Sequence, residues 1–491
     1  MAGNSSSHLA FPSPPHRSRP LVQPLFAHGP RRVVVPDGDG ATSLRRHLEG
    51  ELAEFDVELG AGVELAEEVS GDGHHLVLRV DAAVAVPRLE RVGGDVHAVG
   101  STLDDAALAL HLVRTMRRTG ATRLEQVPAH SAGEAVARVE AEVGSTWPSF
   151  DRTGIDWSEL SSSHRPGAEL GGAALIPALQ RWVAELGDGH TNVHPSSMRA
   201  ALPYAARAEG RRLVLADVPP GTPLAEAGVG PGDEIHGLDV AQLAPLVGAP
   251  PSMRPWAIGR RALSGPPGVP LTFAVRRRDG STAELEDVPG ETTWPDPIEW
   301  RRLDTGTGYV RLRRWLDDDD ATIDVALSEL AACERLLIDL RGNAGGQLTA
   351  AVGFRRRFLA ERARMGTVRF SIGDGGIGPA TDYVDEPSDR TRRTARTRFL
   401  TDTLTYSASE DALLGLRQLP WIDVVGRRSG GGSGRVRVVQ LLGDAVLTVS
   451  TALTYDHDGS CVEGAGIAVD RLLPLDELTP AGQLAAADHG W

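Results

Sequence analysis

Thr405-Tyr406-Ser407-Ala408-Ser409-Glu410 lies where an apolar run, Phe399 to Leu404, gives way to a helical pattern. A hydroxyl presented at a strand-to-helix turn is held by the strand. The first free N–H groups of the helix point at any negative charge that develops beside it. Ser407 is therefore a candidate nucleophile, although a serine in that place more commonly caps the helix, with Glu410 as cap or packing partner. A second backbone cradle, Arg341-Gly342-Asn343-Ala344-Gly345-Gly346, follows the apolar run Leu336 to Leu340. Its three glycines let main-chain N–H groups approach a ligand.

A hydroxyl nucleophile needs a base. All 51 basic residues are arginine and no lysine occurs, which excludes P-loop phosphate binding, Schiff-base chemistry and a Ser-Lys dyad within this chain. His190 stands in Leu186-Gly187-Asp188-Gly189-His190-Thr191, where two glycines stop a helix. A histidine so placed is commonly structural, and its meaning depends on what it faces. Asp317 to Asp320 precede a helix and complement its dipole more naturally than they hold a cation. Cys333 and Cys461 have no metal-ligand spacing and read as buried thiols. No metal and no cofactor is assigned.

The elements that must position these residues form an α/β multidomain protein. With 491 residues the chain exceeds one core, and about three domains of ordinary size are expected. A net charge of −15 argues against nucleic acid and anionic membrane as the main partner. The N-terminus has no signal-like apolar run and no stretch reaches transmembrane length, so a cytoplasmic location is expected.

Residues 1–30 read as a disordered tail and 31–128 as a small α/β unit. The latter has strands at Arg32 to Val35 and His75 to Val80 and a helix from Ser101 to Gly120. Residues 129–200 are helical and carry His190, with Trp147, Phe150, Trp157 and Trp182 as apolar anchors. Residues 201–292 are β-rich, with strands such as Arg212 to Val218 and Leu271 to Arg277. Residues 293–480 alternate strand and helix, and 481–491 read as a tail. Within the alternating region Arg355 to Arg357 suggest a solvated helix, Arg390 to Arg398 a surface loop, and Ser429 to Gly434 a flexible loop.

Two resemblances follow. Thr222 to Ile235 resembles the helix and following strand of a PDZ domain, a fold that binds chain ends by adding a strand to a sheet edge. Leu337 to Gly346, followed by the T-x-S-x-x-E turn at Thr405 to Glu410, resembles the core of the tail-specific (C-terminal-processing) serine peptidase family. Trp157, the Asp188 to Thr191 motif and the PDZ-like region fall in the family's order, and the resemblance spans residues 132–475. It implies a crotonase/ClpP-like α/β catalytic core and a peptide or protein substrate.

Where the family's Ser-Lys branch has its lysine, 25 residues after the nucleophile, this chain has Gly432. It is similar instead to the branch typified by the catalytic core of tricorn protease, which uses histidine as base and a glutamate to orient it. The matching positions are His190 and Glu463, the latter in Glu463-Gly464-Ala465-Gly466-Ile467. Tricorn has a serine immediately before its catalytic histidine. This chain has Gly189, so Asp188 or a water is left for that role.

The resemblance thus implies that Ser407 attacks a peptide carbonyl, His190 moves the proton and Glu463 steadies the imidazole. The N–H groups of Ala408 and of Gly345 or Gly346 would hold the oxyanion, and Ser409 is the second candidate nucleophile. Relatives of this branch often assemble, which admits a homo-oligomer. An alternative comes from the repeats of interphotoreceptor retinoid-binding protein, which resemble the same core and bind apolar ligands without catalysis.

Overall fold

The computed structural model describes residues 32–34, 64–66, 75–80, 88–92, 95–100, 129, 131–167, 170, 174–195, 200–373, 375–432, 434–443, 445–474 and 480–491. The tail expected at 1–30 and the helix expected from Ser101 to Gly120 lie outside the described residues. These residues form two compact units, one made of 140–437 with 448–491, the other of positions up to 139 with 438–447.

The smaller unit contains a five-stranded sheet in the order Glu64–Ala66, Arg32–Val34, His75–Val80, Asp95–Gly100, Arg88–Val92. All neighbours are parallel except the closing Arg88–Val92/Asp95–Gly100 pair. Both strands expected from the sequence are present.

The larger unit is built on a six-stranded sheet in the order Ile298–Arg302, Gly308–Leu312, Leu336–Asp339, Thr397–Thr401, Ile422–Gly426, Arg471–Leu472. Only the first strand runs antiparallel. Every residue of Leu336–Asp339 and of Thr397–Thr401 is buried, as a parallel sheet covered on both faces requires. Val310, Ile338, Phe399 and Val424 stand side by side across four strands. They face the helices Asp320–Glu329, Leu348–Arg356 and Ala408–Leu413 through Ile323, Phe354 and Leu413. Tyr309, Leu337, Leu400 and Val425 form the second apolar face.

That second face explains one departure from expectation. Residues 481–491 do not hang free as a tail, because the helix Pro480–Asp488 covers it with Leu484 and the buried Ala487, and Trp491 stacks 4.1 Å over the Arg398 guanidinium. The arginine-rich stretches differ as well. Arg355 and Arg357 are fully buried. Arg355 donates to Asp385 at 2.7 Å and to the Asp411 carbonyl at 2.5 Å, while Arg357 pairs with Asp320 at 2.8 Å and with Asp324. Arg393 and Arg398 are buried too, giving hydrogen bonds to main-chain carbonyls. Asp320 thus serves as a counter-ion as well as sitting at a helix start.

Residues 205–287 form an antiparallel five-stranded sheet closed by the helix Arg254–Ala262, with Leu213, Leu215, Ile235, Phe273 and Val275 inside. Gly259 is obligatory there, since a Cβ would sit 2.0 Å from the Ala206 carbonyl oxygen. Upstream, Trp157 stacks on Trp182 with ring centroids 5.0 Å apart, anchoring the helices that lead to His190. Among the described residues no helix is long and apolar enough to cross a membrane.

Candidate active site

Leu336–Asp339 and Thr397–Thr401 are parallel neighbours, so their chains leave the sheet at the same edge and the loops that follow are adjacent. Asn343 ties the two loops together. Its side chain donates to the Leu312 carbonyl (3.1 Å) and accepts from Gly345 N–H (3.0 Å), and its carbonyl accepts from Tyr406 N–H (3.1 Å) and Ser409 Oγ (2.9 Å). Asp402 adds a second tie, accepting from the N–H groups of Gly342 and Thr405. The nucleophile strand is shorter than expected, ending at Thr401, and this hydrogen-bonded loop replaces its last three residues.

Held this way, Ser407 has φ 58° and ψ −124°, and among the described residues it is the only non-glycine with positive φ. Such a conformation costs on the order of 1–3 kcal/mol and persists only where its surroundings impose it. Glu410 is the main constraint. One carboxylate oxygen accepts from Ser407 N–H (3.1 Å) and Gly432 N–H (2.7 Å), the other from Ser429 Oγ (2.5 Å) and Gly431 N–H (2.8 Å). Burial pushes this carboxyl up to about 7, against the pull of those four donors.

The loop expected to be flexible at Ser429 to Gly434 is therefore buried and bonded over Ser429 to Gly432. Its glycines serve close approach: a Cβ on Gly431 would meet Ala465 N at 2.9 Å.

His190 reaches Ser407 from a distant part of the chain, with Nε2 2.8 Å from Ser407 Oγ. The Asp188 carboxylate fixes the turn that carries it, accepting from His190 N–H (2.7 Å), Trp147 Nε1 (2.7 Å) and Thr191 Oγ1 (2.8 Å). Burial lowers the His190 pKa, opposed by the Asp188 and Asp411 charges and assisted by Arg435. The imidazole is thus kept in its neutral, proton-accepting form.

Glu463 is buried in the loop whose Gly464 N–H donates to the Gly431 carbonyl at 2.8 Å. One carboxylate oxygen each from Asp188 and Glu463 and one His190 ring nitrogen lie within 4.8 Å of one another. Three side chains at that spacing could ligate a metal ion. With Asp188 already accepting three hydrogen bonds, the set suits an imidazole-orienting role better.

A side chain at Gly345 (φ 107°) would place its Cβ 2.8 Å from Ser407 Cβ, and one at Gly346 (φ 141°) would strike the Trp315 carbonyl oxygen at 2.3 Å. The Gly345 N–H is engaged by Asn343. Among the described residues no hydrogen bond engages the N–H of Gly346 or of Ala408. Ser409 faces inward, fully buried, accepting from Trp315 Nε1 at 2.8 Å, and is a structural hydroxyl.

Asn343, Asp402 and Tyr406 also build this site and were not singled out from the sequence. The Asn343 signal was available, an asparagine inside a glycine turn that leaves a buried strand.

Comparison with known proteins bears on the fold that carries this arrangement. Residues 306–473 match the model of peptidase family S41. The match takes in Ser407 and Glu463. A carboxy-terminal-processing protease of Bartonella bacilliformis is 26% identical over 275 residues, which is 52% of this chain and 57% of that protein. The chain thus spans less than two thirds of that relative's length. Among solved structures, mature CPAF matches with a TM-score of 0.56 at 14% identity, over 73% of this chain and 95% of that one. The photosystem II D1 C-terminal processing protease matches with a TM-score of 0.52 at 19% identity, over 73% and 98%. They share the mixed α/β fold with this chain.

Proposed function

We propose that this chain is a serine peptidase that cleaves peptide or protein substrates near their C-termini through an acyl-enzyme. The observation that carries the reading is the 2.8 Å contact between His190 Nε2 and Ser407 Oγ, made on a nucleophile held at positive φ. In the proposed reaction Ser407 Oγ bonds to the scissile carbonyl carbon as its proton passes to His190 Nε2. The C–N bond then breaks and the same proton leaves on the amine, and water repeats the sequence on the ester. Glu463 stabilises the imidazolium formed on the way. The N–H groups of Ala408 and Gly346 hold the oxyanion, Gly346 rather than Gly345 because the latter is engaged by Asn343.

The finer assignments follow from the same residues. With no lysine in the chain and Gly432 donating to Glu410, the base is histidine and the site is of the tricorn-like kind. The sheet over residues 205–287, with its short helix Pro223–Glu226 before the strand Glu234–His236, is suited to act as a PDZ-like module that presents a chain end. The C-terminal preference is carried over from the relative named above.

Labelling with a fluorophosphonate tests the reading. Wild type should be labelled covalently and Ser407→Ala and His190→Ala should not, with rates at least roughly 10⁴-fold lower. Undiminished labelling of Ser407→Ala overturns it. An apolar ligand co-purifying with a protein that takes no label would favour the binding-only alternative.

A further inference from the structure

The turn before His190 has no side chain at Gly189, and the space is filled from the nucleophile's own loop. A Cβ built on Gly189 would lie 2.2 Å from Tyr406 Oη and 3.0 Å from its Cζ. Gly432 and Gly430 are cleared for the same ring, with a Cβ on the first falling 2.0 Å from Tyr406 Cζ and on the second 2.7 Å from Cδ2. Three glycines from two distant segments thus surround one tyrosine. Its ring stacks on the His190 imidazole, centroids 5.0 Å apart and planes at 21°, and packs against Ala249 and Met253.

Two buried polar atoms in this small volume, Tyr406 Oη and His190 Nδ1, have no hydrogen-bond partner among the described residues. Orphans of this kind call for an explanation. Glu463 belongs to the same group: one of its carboxylate oxygens is in the 4.8 Å cluster with the His190 ring on which Tyr406 stacks, and after burial its charge is the first to raise the phenol's pKa. Asp188 does not compete, because its oxygens are committed to His190 N–H, Trp147 and Thr191.

We propose that Tyr406 is a positioning residue of the relay: its ring clamps the His190 imidazole, and its hydroxyl, in the space a side chain at 189 would take, donates to Glu463 once His190 becomes charged. When His190 accepts the Ser407 proton, the positive charge draws the Glu463 carboxylate, and Nδ1–H and Oη–H are the two donors that meet it. Both go unpaired in the resting site and are satisfied as charge develops, which is stabilisation confined to the transition state. Burial, followed by the Glu463, Asp188 and Glu410 charges, holds the phenol well above its usual pKa, so it remains a donor throughout.

This inference rests on the Ser-His reading above, and its test separates the two. The second-order rate of fluorophosphonate labelling is measured across pH for the full chain, with the unfolding midpoint as a control for folding. Tyr406→Phe keeps the ring and should label about tenfold more slowly at an unchanged midpoint. Gly189→Ser, driven into Tyr406 Oη, should also be slowed. The combined variant, in which the serine hydroxyl enters the space the phenol oxygen has left, should label faster than either single variant. The pH of half-maximal labelling, set at His190 by Asp188, Asp411, Arg435, Glu463 and Tyr406, should move in Tyr406→Phe and return in the pair.

Wild-type rates in Tyr406→Phe, or losses that multiply in the pair, overturn the role of Tyr406 while leaving the nucleophile in place. Labelling that survives Ser407→Ala instead overturns the underlying reading.

Discussion

Arg355 and Arg357 are buried and Arg341 is half-buried in the same unit as Ser407, yet the two regions treat charge in different ways. Around the arginines charge meets charge: Arg355 with Asp385, Arg357 with Asp320 and Asp324, and Arg341 with Asp339 through two contacts of 2.6 and 2.9 Å. Burial alone would raise the Asp339 carboxyl, but Arg341 and Arg311 overcome that and hold it well below the usual carboxylate range. Around Ser407, His190 Nδ1 and Tyr406 Oη have no hydrogen-bond partner among the described residues, the backbone is strained, and Glu410 is lifted to about 7. In the first region every one of these charges has its counter-charge in the resting state. In the proposed reaction the second region meets a charge that arrives only as Ser407 gives up its proton.

The largest effect expected in a test of this contrast is on stability. Arg355→Met removes one partner and leaves Asp385 buried and unpaired, which should cost about 3–5 kcal/mol. Replacing both, as Arg355→Met with Asp385→Leu, should recover most of that loss. Denaturant titrations check it, and a double variant no more stable than the single one would mean that the pair is more than a closed ion pair.

Glu463→Gln comes next. It should fold normally and label on the order of 100-fold more slowly, because an amide supports a developing imidazolium poorly. Near-normal labelling would place Glu463 with the charges of the first region and outside the relay.

Glu410 supplies a pH test. Its carboxyl is near 7 in the fold against 4.5 as the ordinary value. A raised acid favours the folded state while protonated, so its contribution is present below about pH 4.5 and is lost as pH rises through about 7, up to about 3 kcal/mol. Glu410→Gln cannot ionise and should lack this slope. His190, whose pKa is lowered, gives the opposite slope on acidification in both proteins and cancels in the comparison. Identical pH profiles of stability would show that the four donors cancel the effect of burial and leave Glu410 at its ordinary value.

What the sequence disclosed follows the same division. Ser407, His190 and the glycine turn were legible because each imposes a local backbone requirement, a strand end, a helix stop or a positive φ, that residue type alone betrays. Glu463 came only through the resemblance, since nothing in its neighbours marks it. The burial of Arg355 was not legible, because Asp385 lies 30 positions away and only the fold pairs them. A run of arginines on a helix reads as solvated until its counter-ions are located. Tyr406 was hidden for a related reason: its place depends on Gly189, Gly430 and Gly432 together, and each of those glycines alone looks like loop punctuation. The proposed choice of Gly346 over Gly345 turned on one hydrogen bond, from Gly345 N–H to the Asn343 side chain.

The smallest effect tests the strain directly. If φ 58° at Ser407 is imposed by Glu410, Asn343 and the packing of Gly345, an alanine there keeps the cost of a Cβ in that conformation, whereas a glycine escapes it. Glycine also loses more chain entropy on folding, which offsets part of the gain, by about 0.5–1 kcal/mol. Ser407→Gly should therefore be more stable than Ser407→Ala by about 1 kcal/mol, and neither should take the label. At an unstrained helix cap the order would not favour glycine in this way. A glycine variant less stable than the alanine variant would mean that the turn carries no strain, and would remove one of the features separating it from the arginine cluster.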